Sequence, residues 1–423
     1  MLLKPKKMTF IILFGISLIY ILMRPVLEAY VTTLYKPMFI LIMIVTSGIG
    51  FMTPSVRKKI GNNEIVLLIV FYIYIICNAL AYGGTELLYL GAERYVFLTL
   101  PLFAMPLVYK HLNWKKLLEF ISLFGIIDAT CSIVEFVTHN ALFPAANVDS
   151  RVEMHMSSYY IVRTYGLNGN FFLLAEILSV CGLASFFLLR FYKEKKWIIA
   201  FMIISIGILA TGSRGYYVSY GVGLVVMYLA DNNHKRITHK QLFKIFLIFL
   251  GIVLLLFFLI GTDYLTGIDK VDQIIVRFRM IFNFTSEDAN IGRLNKWNWA
   301  IHEWIKSPLF GNGACCTDTR YSGYYTVPES GILKRLVELG VIGTTLQYAS
   351  MYVPLYIGIK KYHRGGKKDP IVIFCISILV CFFVEDIILQ RYTGVEYTII
   401  SWALIEYVAY EQKFIGNDKV RLI

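Results

Sequence analysis

The chain has 423 residues, 57% hydrophobic and 15% aromatic, with a formal net charge of +13 and a mean hydropathy of +0.63. This excludes a soluble multi-domain protein, and the length excludes a single membrane span, since one crossing takes about 20 mostly apolar residues. Helices satisfy their own backbone hydrogen bonds inside a bilayer, and the runs are too long and continuous for a β-barrel, so the expected fold is an all-α integral membrane protein.

Apolar runs occur at 8–23, 37–53, 65–83, 95–109, 117–138, 170–190, 197–212, 215–230, 245–262, 339–358, 370–388 and 393–410. They predict about twelve transmembrane helices. The lysines and arginines gather at the ends of these runs, so the positive charge does not mark nucleic-acid binding. Most fall in the short segments on one side, among them Arg57, Lys58, Lys59 and Lys360, Lys361, Arg364. The positive-inside rule then makes both termini cytoplasmic. The predicted organisation is helices one to nine over 1–262, an extracytoplasmic loop over 263–330, helices ten to twelve over 331–410 and a cytoplasmic tail over 411–423. The basic start Met1–Lys7 precedes an apolar run closed by Arg24 with no convincing cleavage site, which reads as a retained span rather than a signal peptide. Of the seven cysteines, five lie in apolar runs and behave as small hydrophobes. Cys315 and Cys316 are the candidates for chemistry, although adjacent cysteines bridge only with strain.

The first outer loop, Arg24–Lys36, carries a single acid, Glu28, and the second, Gly84–Tyr95, reads as a short loop. The third, His139–Asn170, mixes Arg151, Glu153, His155, Tyr159, Tyr160, Arg163 and Tyr165, which suits sugar faces and hydroxyls or, alternatively, an interfacial aromatic belt. Thr211-Gly212-Ser213-Arg214-Gly215-Tyr216-Tyr217 forms the tightest hairpin between spans. The glycines beside Arg214 permit a sharp turn and close backbone approach. Snorkelling to headgroups is the plain alternative for this arginine, but border charges facing a cavity are functional by default.

The long interval Gly261–Gly343 is polar but balanced, with seven basic and seven acidic residues between Asp263 and Arg320, so an anion site there depends on where individual arginines point. Ile268, Val271, Ile274, Ile275, Phe278 and Ile281 recur at helical spacing, as do Leu294, Trp297, Ile301, Trp304 and Ile305. Both patterns predict amphipathic helices on the membrane surface. With Asp288 and Asn290 as caps of the second, Arg293 falls in its first turn, where the helix dipole disfavours a cation and an anion would explain its presence. Pro328 is a good first residue for the next helix, which places Glu329 in a first turn that favours a carboxylate by dipole alone. Lys334, Arg335 and Glu338 keep that helix polar for two more turns.

These residues resemble the O-antigen ligase and Wzy-type polysaccharide polymerase superfamily. The resemblance rests on Gly212-Ser213-Arg214-Gly215, Gly292-Arg293 with Trp297 and Ala300, Ser307-Pro308-Leu309-Phe310-Gly311-Asn312-Gly313, and Glu329-Ser330 before Glu338-Leu339-Gly340-Val341-Ile342-Gly343. Arg163-Thr164-Tyr165-Gly166 is a weaker match. It implies metal-independent glycosyl transfer, without a cofactor, on the outer face of a bacterial plasma membrane. The implied donor and acceptor are polyprenyl (undecaprenyl) diphosphate-linked oligosaccharides, and the implied partners are a flippase and a chain-length regulator. Ligases of the family usually place His-Asn where this chain has Glu329-Ser330, a departure that favours the polymerase branch.

The expected catalytic residues are Arg214 and Arg293, which would receive charge growing on the leaving diphosphate, and Glu329, which would take the proton of the acceptor hydroxyl. Arg163, Arg277, Arg279, Lys296, Arg335 and Tyr216 are the expected substrate-binding residues. A transporter or flippase is the rival from another class, since twelve spans with both termini inside also suit a carrier. Carriers often show related halves about a central cytoplasmic link, and no such repeat is visible. Enzymes using monosaccharide phospholipids usually keep acidic residues in the first outer loop, where this chain has only Glu28.

Overall fold

The computed structural model describes residues 7–31, 34–57, 62–109, 112–143, 153–156, 159–231, 272–273, 275–276, 288–323, 327–364, 369–389 and 395–410. In chain order the helices are α1 Lys7–Val26, α2 Tyr35–Met52, α3 Pro54–Arg57, α4 Asn62–Gly91, α5 Pro101–Tyr109, α6 Trp114–Thr138, α7 Phe171–Phe191, α8 Trp197–Ala210, α9 Arg214–Asp231, α10 Asp288–Lys306, α11 Gly331–Arg364, α12 Pro370–Ile388 and α13 Val395–Tyr410. Two short strands, β1 Glu153–Met156 and β2 Tyr159–Val162, pair antiparallel with Glu153 opposite Val162 and Met156 opposite Tyr159. The described residues are thus mainly helical, as the all-α class expects, with this one short β-hairpin added between α6 and α7. β-Branched and aromatic residues in Tyr159-Tyr160-Ile161-Val162 suit a strand.

Among the described residues four helical stretches are long and apolar enough to cross a membrane: Glu64–Tyr109, Trp114–Thr138, Phe171–Phe191 and Pro370–Ile388. Ile12–Arg24, Pro37–Met52 and Trp197–Ala210 are shorter apolar helices. The predicted run at 245–262, the amphipathic pattern over 268–281 apart from fragments, and the tail lie outside the described residues.

Gly84–Tyr95 is not the short loop expected. Gly84 bends α4 (φ 60°, ψ −142°), but helical backbone continues to Gly91, then through a π turn at Ala92–Val96 and a 3-10 turn at Phe97–Thr99. Leu87, Leu90 and Tyr95 are the reason: they bury against Phe71 and Ile75 of the same helix and Val337 and Leu339 of α11. Apolar contact thus holds the stretch in the core.

The chain divides into two compact units, one made of Met1–Ile21, Leu34–Asn113 and Arg293–Ile423, the other of Leu22–Thr33 and Trp114–Gly292. In the second unit α6, α7 and α8 pack on one another and α9 packs on α7. Asp128 and Glu135, two turns apart on α6, are fully buried. Asp128 accepts from the Leu167 amide at 2.9 Å and Asn168 Nδ2 at 2.6 Å. Glu135 accepts from the amides of Leu142, Tyr165 and Gly166 at 3.0, 2.7 and 2.9 Å. Backbone amides left open ahead of α7 must find partners when buried, and these carboxylates supply them.

In the first unit α11 packs on α4, α12 and α13, and α13 also packs on α5 and α12. α11 breaks at Gly340, whose φ of 62° and ψ of −172° lie outside helix space in a region kept almost entirely for glycine. The residues after α10 fill the break. Asn312 N donates to Val337 O at 2.8 Å and Gly313 N to Glu338 O at 3.1 Å, while Val341 N donates to Pro308 O at 2.9 Å and Ile342 N to Leu309 O at 3.1 Å. The two glycine-rich motifs are therefore one structural crossing, with Gly311 (φ 75°) against Gly340. α4 pins it from the side: Asn78 Nδ2 donates to Phe310 O at 2.7 Å and its Oδ1 accepts from Ala314 N at 2.6 Å.

Candidate functional site

α10 presents Arg293, Lys296 and Trp297, three and four residues apart and so on one side of the helix. All three meet Glu329. Arg293 Nε donates to Glu329 Oε2 at 3.0 Å, Lys296 Nζ donates to Oε1 at 2.6 Å, and Trp297 Nε1 donates to the Glu329 carbonyl at 3.0 Å. One turn on, Ala300 is buried in the cluster of Leu87, Leu90, Val337 and Leu339, and Trp304 Nε1 donates to Pro308 O at 3.1 Å. The ionic end is half-exposed, with side-chain exposures of 26% for Arg293, 42% for Lys296 and 33% for Glu329. An apolar base thus carries a half-exposed cation pair closed on Glu329.

Burial alone would raise the pKa of Glu329, but hydrogen bonds from Lys296 and Arg293 outweigh it and hold the carboxyl below its usual range. With both oxygens engaged by cations, Glu329 is ionised and a poor proton acceptor in this state.

Two expectations about this site are corrected. Asp288 and Asn290 lie inside α10 rather than capping it, so Arg293 is not in a first turn, and the anion it meets is the chain's own Glu329. Glu329 precedes α11, which begins at Gly331, and Ser330 O accepts from Lys334 N at 2.9 Å. The first-turn dipole therefore does not explain Glu329; the cations of α10 do.

Arg335 is also placed differently from the expectation. It is 1% exposed, and its guanidinium pairs with Asp386 of α12 and donates to Tyr348 Oη at 2.6 Å. A guanidinium so enclosed fastens α11 to α12 and is not presented to substrate. Lys334 is also buried, 3.8 Å from Glu338. Arg163 stacks on the Phe171 ring with 4.3 Å from its guanidinium carbon to the centroid. Arg214 is the first residue of α9 and is partly buried. It follows a turn in which Gly212 has φ 65° and Ser213 N donates to Thr211 Oγ1 at 3.2 Å. Tyr216 is fully buried, so its ring is not a surface for sugar. Arg163, Arg214 and Tyr216 belong to the second unit, and Arg293, Lys296, Glu329 and Arg335 to the first. Arg277 and Arg279 lie outside the described residues.

The sequence reading missed the buried carboxylate centre behind the crossing. Glu338 is fully enclosed and accepts from Tyr95 Oη and Thr317 Oγ1. Nothing in the local sequence couples Tyr95 to Glu338. Nearby, Arg320 bridges Asp318 at 2.9 Å and Glu93 at 2.7 Å, with Arg94 Nε 3.5 Å from Asp318. These pairs tie the 314–323 stretch to the π turn that follows α4. Cys315 and Cys316 are free and buried, and burial pushes both thiols well above their usual range. They are packing groups here, remote from the thiolate form that reacts.

Long apolar helices with a basic and acidic cluster beside them define a helical membrane protein. Residues 198–348 match the family model described as O-Antigen ligase, which supports a relation of that stretch to the O-antigen ligase/Wzy superfamily. The match takes in Arg214, Arg293, Lys296, Glu329 and the crossing at Gly311 and Gly340. No curated protein matches the chain.

Proposed function

We propose that the chain is a polysaccharide polymerase of the bacterial plasma membrane, joining oligosaccharide repeats carried on polyprenyl diphosphate at the outer face without a metal. The observation that supports this most is the cation pair Arg293 and Lys296 closing on Glu329 above an apolar base. In the proposed step the acceptor hydroxyl oxygen bonds to the anomeric carbon of the donor sugar. The bond from that carbon to the diphosphate oxygen breaks, and its electron pair leaves with the diphosphate. The hydroxyl proton passes to Glu329. Arg293 and Lys296 meet the growing phosphate charge, a contribution of about a hundredfold or more in rate per donor, and guanidinium suits phosphate geometry. Arg214 is retained as a proposed catalytic residue on its hairpin motif. The product would be capsule, exopolysaccharide or O-antigen, and a flippase and a chain-length regulator are the proposed partners.

Transfer to a different acceptor, as in a ligase, is the second reading, favoured by the description of the matched family. The size ladder of surface polysaccharide decides. Cells carrying Arg293→Ala, Arg214→Ala or Glu329→Gln, at matched membrane levels, are expected to hold single repeats on the lipid carrier with no ladder. A normal ladder in Arg293→Ala would overturn the proposal. A full ladder that stays on the lipid carrier would assign ligation, and loss of all outward-facing lipid-linked repeat would assign transport.

A further inference from the structure

We infer that Arg293 and Lys296 form a diphosphate site whose resting occupant is the chain's own Glu329, so that the incoming diphosphate displaces the carboxylate from the same two cations. The inference deepens the proposed polymerase reading and rests on it. The geometry is competitive. Arg293 and Lys296 engage opposite oxygens of one carboxylate at 3.0 and 2.6 Å, as they would engage two oxygens of a phosphate. The Trp297 indole fixes the Glu329 backbone at 3.0 Å, so the carboxylate can swing aside by side-chain rotation while its main chain stays in place. The cations and the carboxylate are half-exposed, which leaves a path for a ligand. Ala300, one turn on, is fully buried in the apolar cluster, which anchors α10.

Displacement has a chemical consequence. The charged groups that act most on the Glu329 carboxylate are Arg293 and Lys296. At rest they keep it ionised and weakly basic. Once a diphosphate takes their hydrogen bonds and neutralises their charge, burial is the effect that remains, and burial raises a carboxyl pKa. Glu329 thus gains proton affinity only when the donor is bound, so binding itself readies the base.

The test is isothermal titration of the purified full-length protein with inorganic pyrophosphate at about pH 5, near the ordinary carboxyl range, in two buffers of different ionisation enthalpy. Each half-exposed ion pair is weak, so Glu329→Gln is expected to bind pyrophosphate about three- to tenfold more tightly than wild type. Wild type should take up more protons on binding than Glu329→Gln does. Glu329→Ala serves as a second variant and is expected to tighten binding likewise. Unchanged or weaker binding by both variants would overturn the competition. If Arg293→Ala and Lys296→Ala abolish binding while the Glu329 variants do not tighten it, competition fails and the phosphate site stands. If the Arg293 and Lys296 variants leave binding intact, the proposed function fails with it. Farnesyl diphosphate is expected to bind more tightly than pyrophosphate, and equal affinity would overturn a lipid-borne ligand.

Discussion

Gly340→Ala is expected to destabilise the first unit by several kcal/mol, and its cost can be worked from the crossing with the 308–313 stretch. A residue with a side chain at φ 62° and ψ −172° costs about 1–3 kcal/mol in backbone strain. The added Cβ would stand 2.4 Å from the Leu309 carbonyl carbon and oxygen and 2.5 Å from the Gly311 nitrogen. These are backbone atoms that cannot rotate away, so the crossing must open. Its four backbone hydrogen bonds between Pro308–Gly313 and Val337–Ile342 contribute about 0.5–1.5 kcal/mol each. Losing two of them brings the expected loss to about 2–6 kcal/mol, comparable to the whole stability of many domains. The assay is thermal unfolding of purified protein in detergent, followed by tryptophan fluorescence, with membrane abundance read in parallel. Gly292→Ala is the control: a Cβ there meets nothing within 4 Å, and alanine is favoured by up to about 1 kcal/mol inside a helix. Equal unfolding temperatures for the two variants would refute the reasoning.

Arg335→Met leaves Asp386 buried without its guanidinium and should cost about 3–5 kcal/mol, whereas Arg335→Met with Asp386→Leu should recover most of it. A double variant as unstable as the single one would show that the ion pair is not what holds α11 to α12. At Asp318 burial pushes the carboxyl pKa up, but the Arg320 side chain and amide, with Arg94, more than offset this and hold it far below its usual range. Because the folded value is depressed, its stabilisation is complete above the ordinary carboxyl pKa of about 4 and is lost as pH falls through the folded value. Unfolding temperature should therefore fall on acidification below about pH 4, and Asp318→Asn should flatten that limb; an unchanged limb would refute it.

How much could be read in the sequence follows the range of each signal. Helices with clear apolar runs, such as α6, α7 and α12, were legible because a membrane span is written in contiguous residues. Gly84–Tyr95 was misread because two glycines and a charged pair look like a loop, while burial of Leu87 and Leu90 against α11 is a contact across some 250 residues of sequence. The hairpin at 153–162 was hidden by a polar, mixed composition. Arg293 and Glu329 were both singled out, but each for a local dipole reason that the helix ends do not support; their mutual contact spans 36 positions. Asp128 and Glu135 carried a visible signal as carboxylates inside an apolar run, although their partners, the amides ahead of α7, did not.

By itself the sequence determined the helical membrane class, the hairpin turn at Gly212 and the glycine-rich motifs, because composition, hydropathy and φ freedom act on neighbouring residues. Tertiary structure decided that the two motifs are halves of one crossing, that Arg335 is a buried fastener, and that Glu329 sits between Arg293 and Lys296. Those outcomes depend on which distant groups meet, and hydrogen bonds and ion pairs form only where packing brings their atoms within about 3 Å.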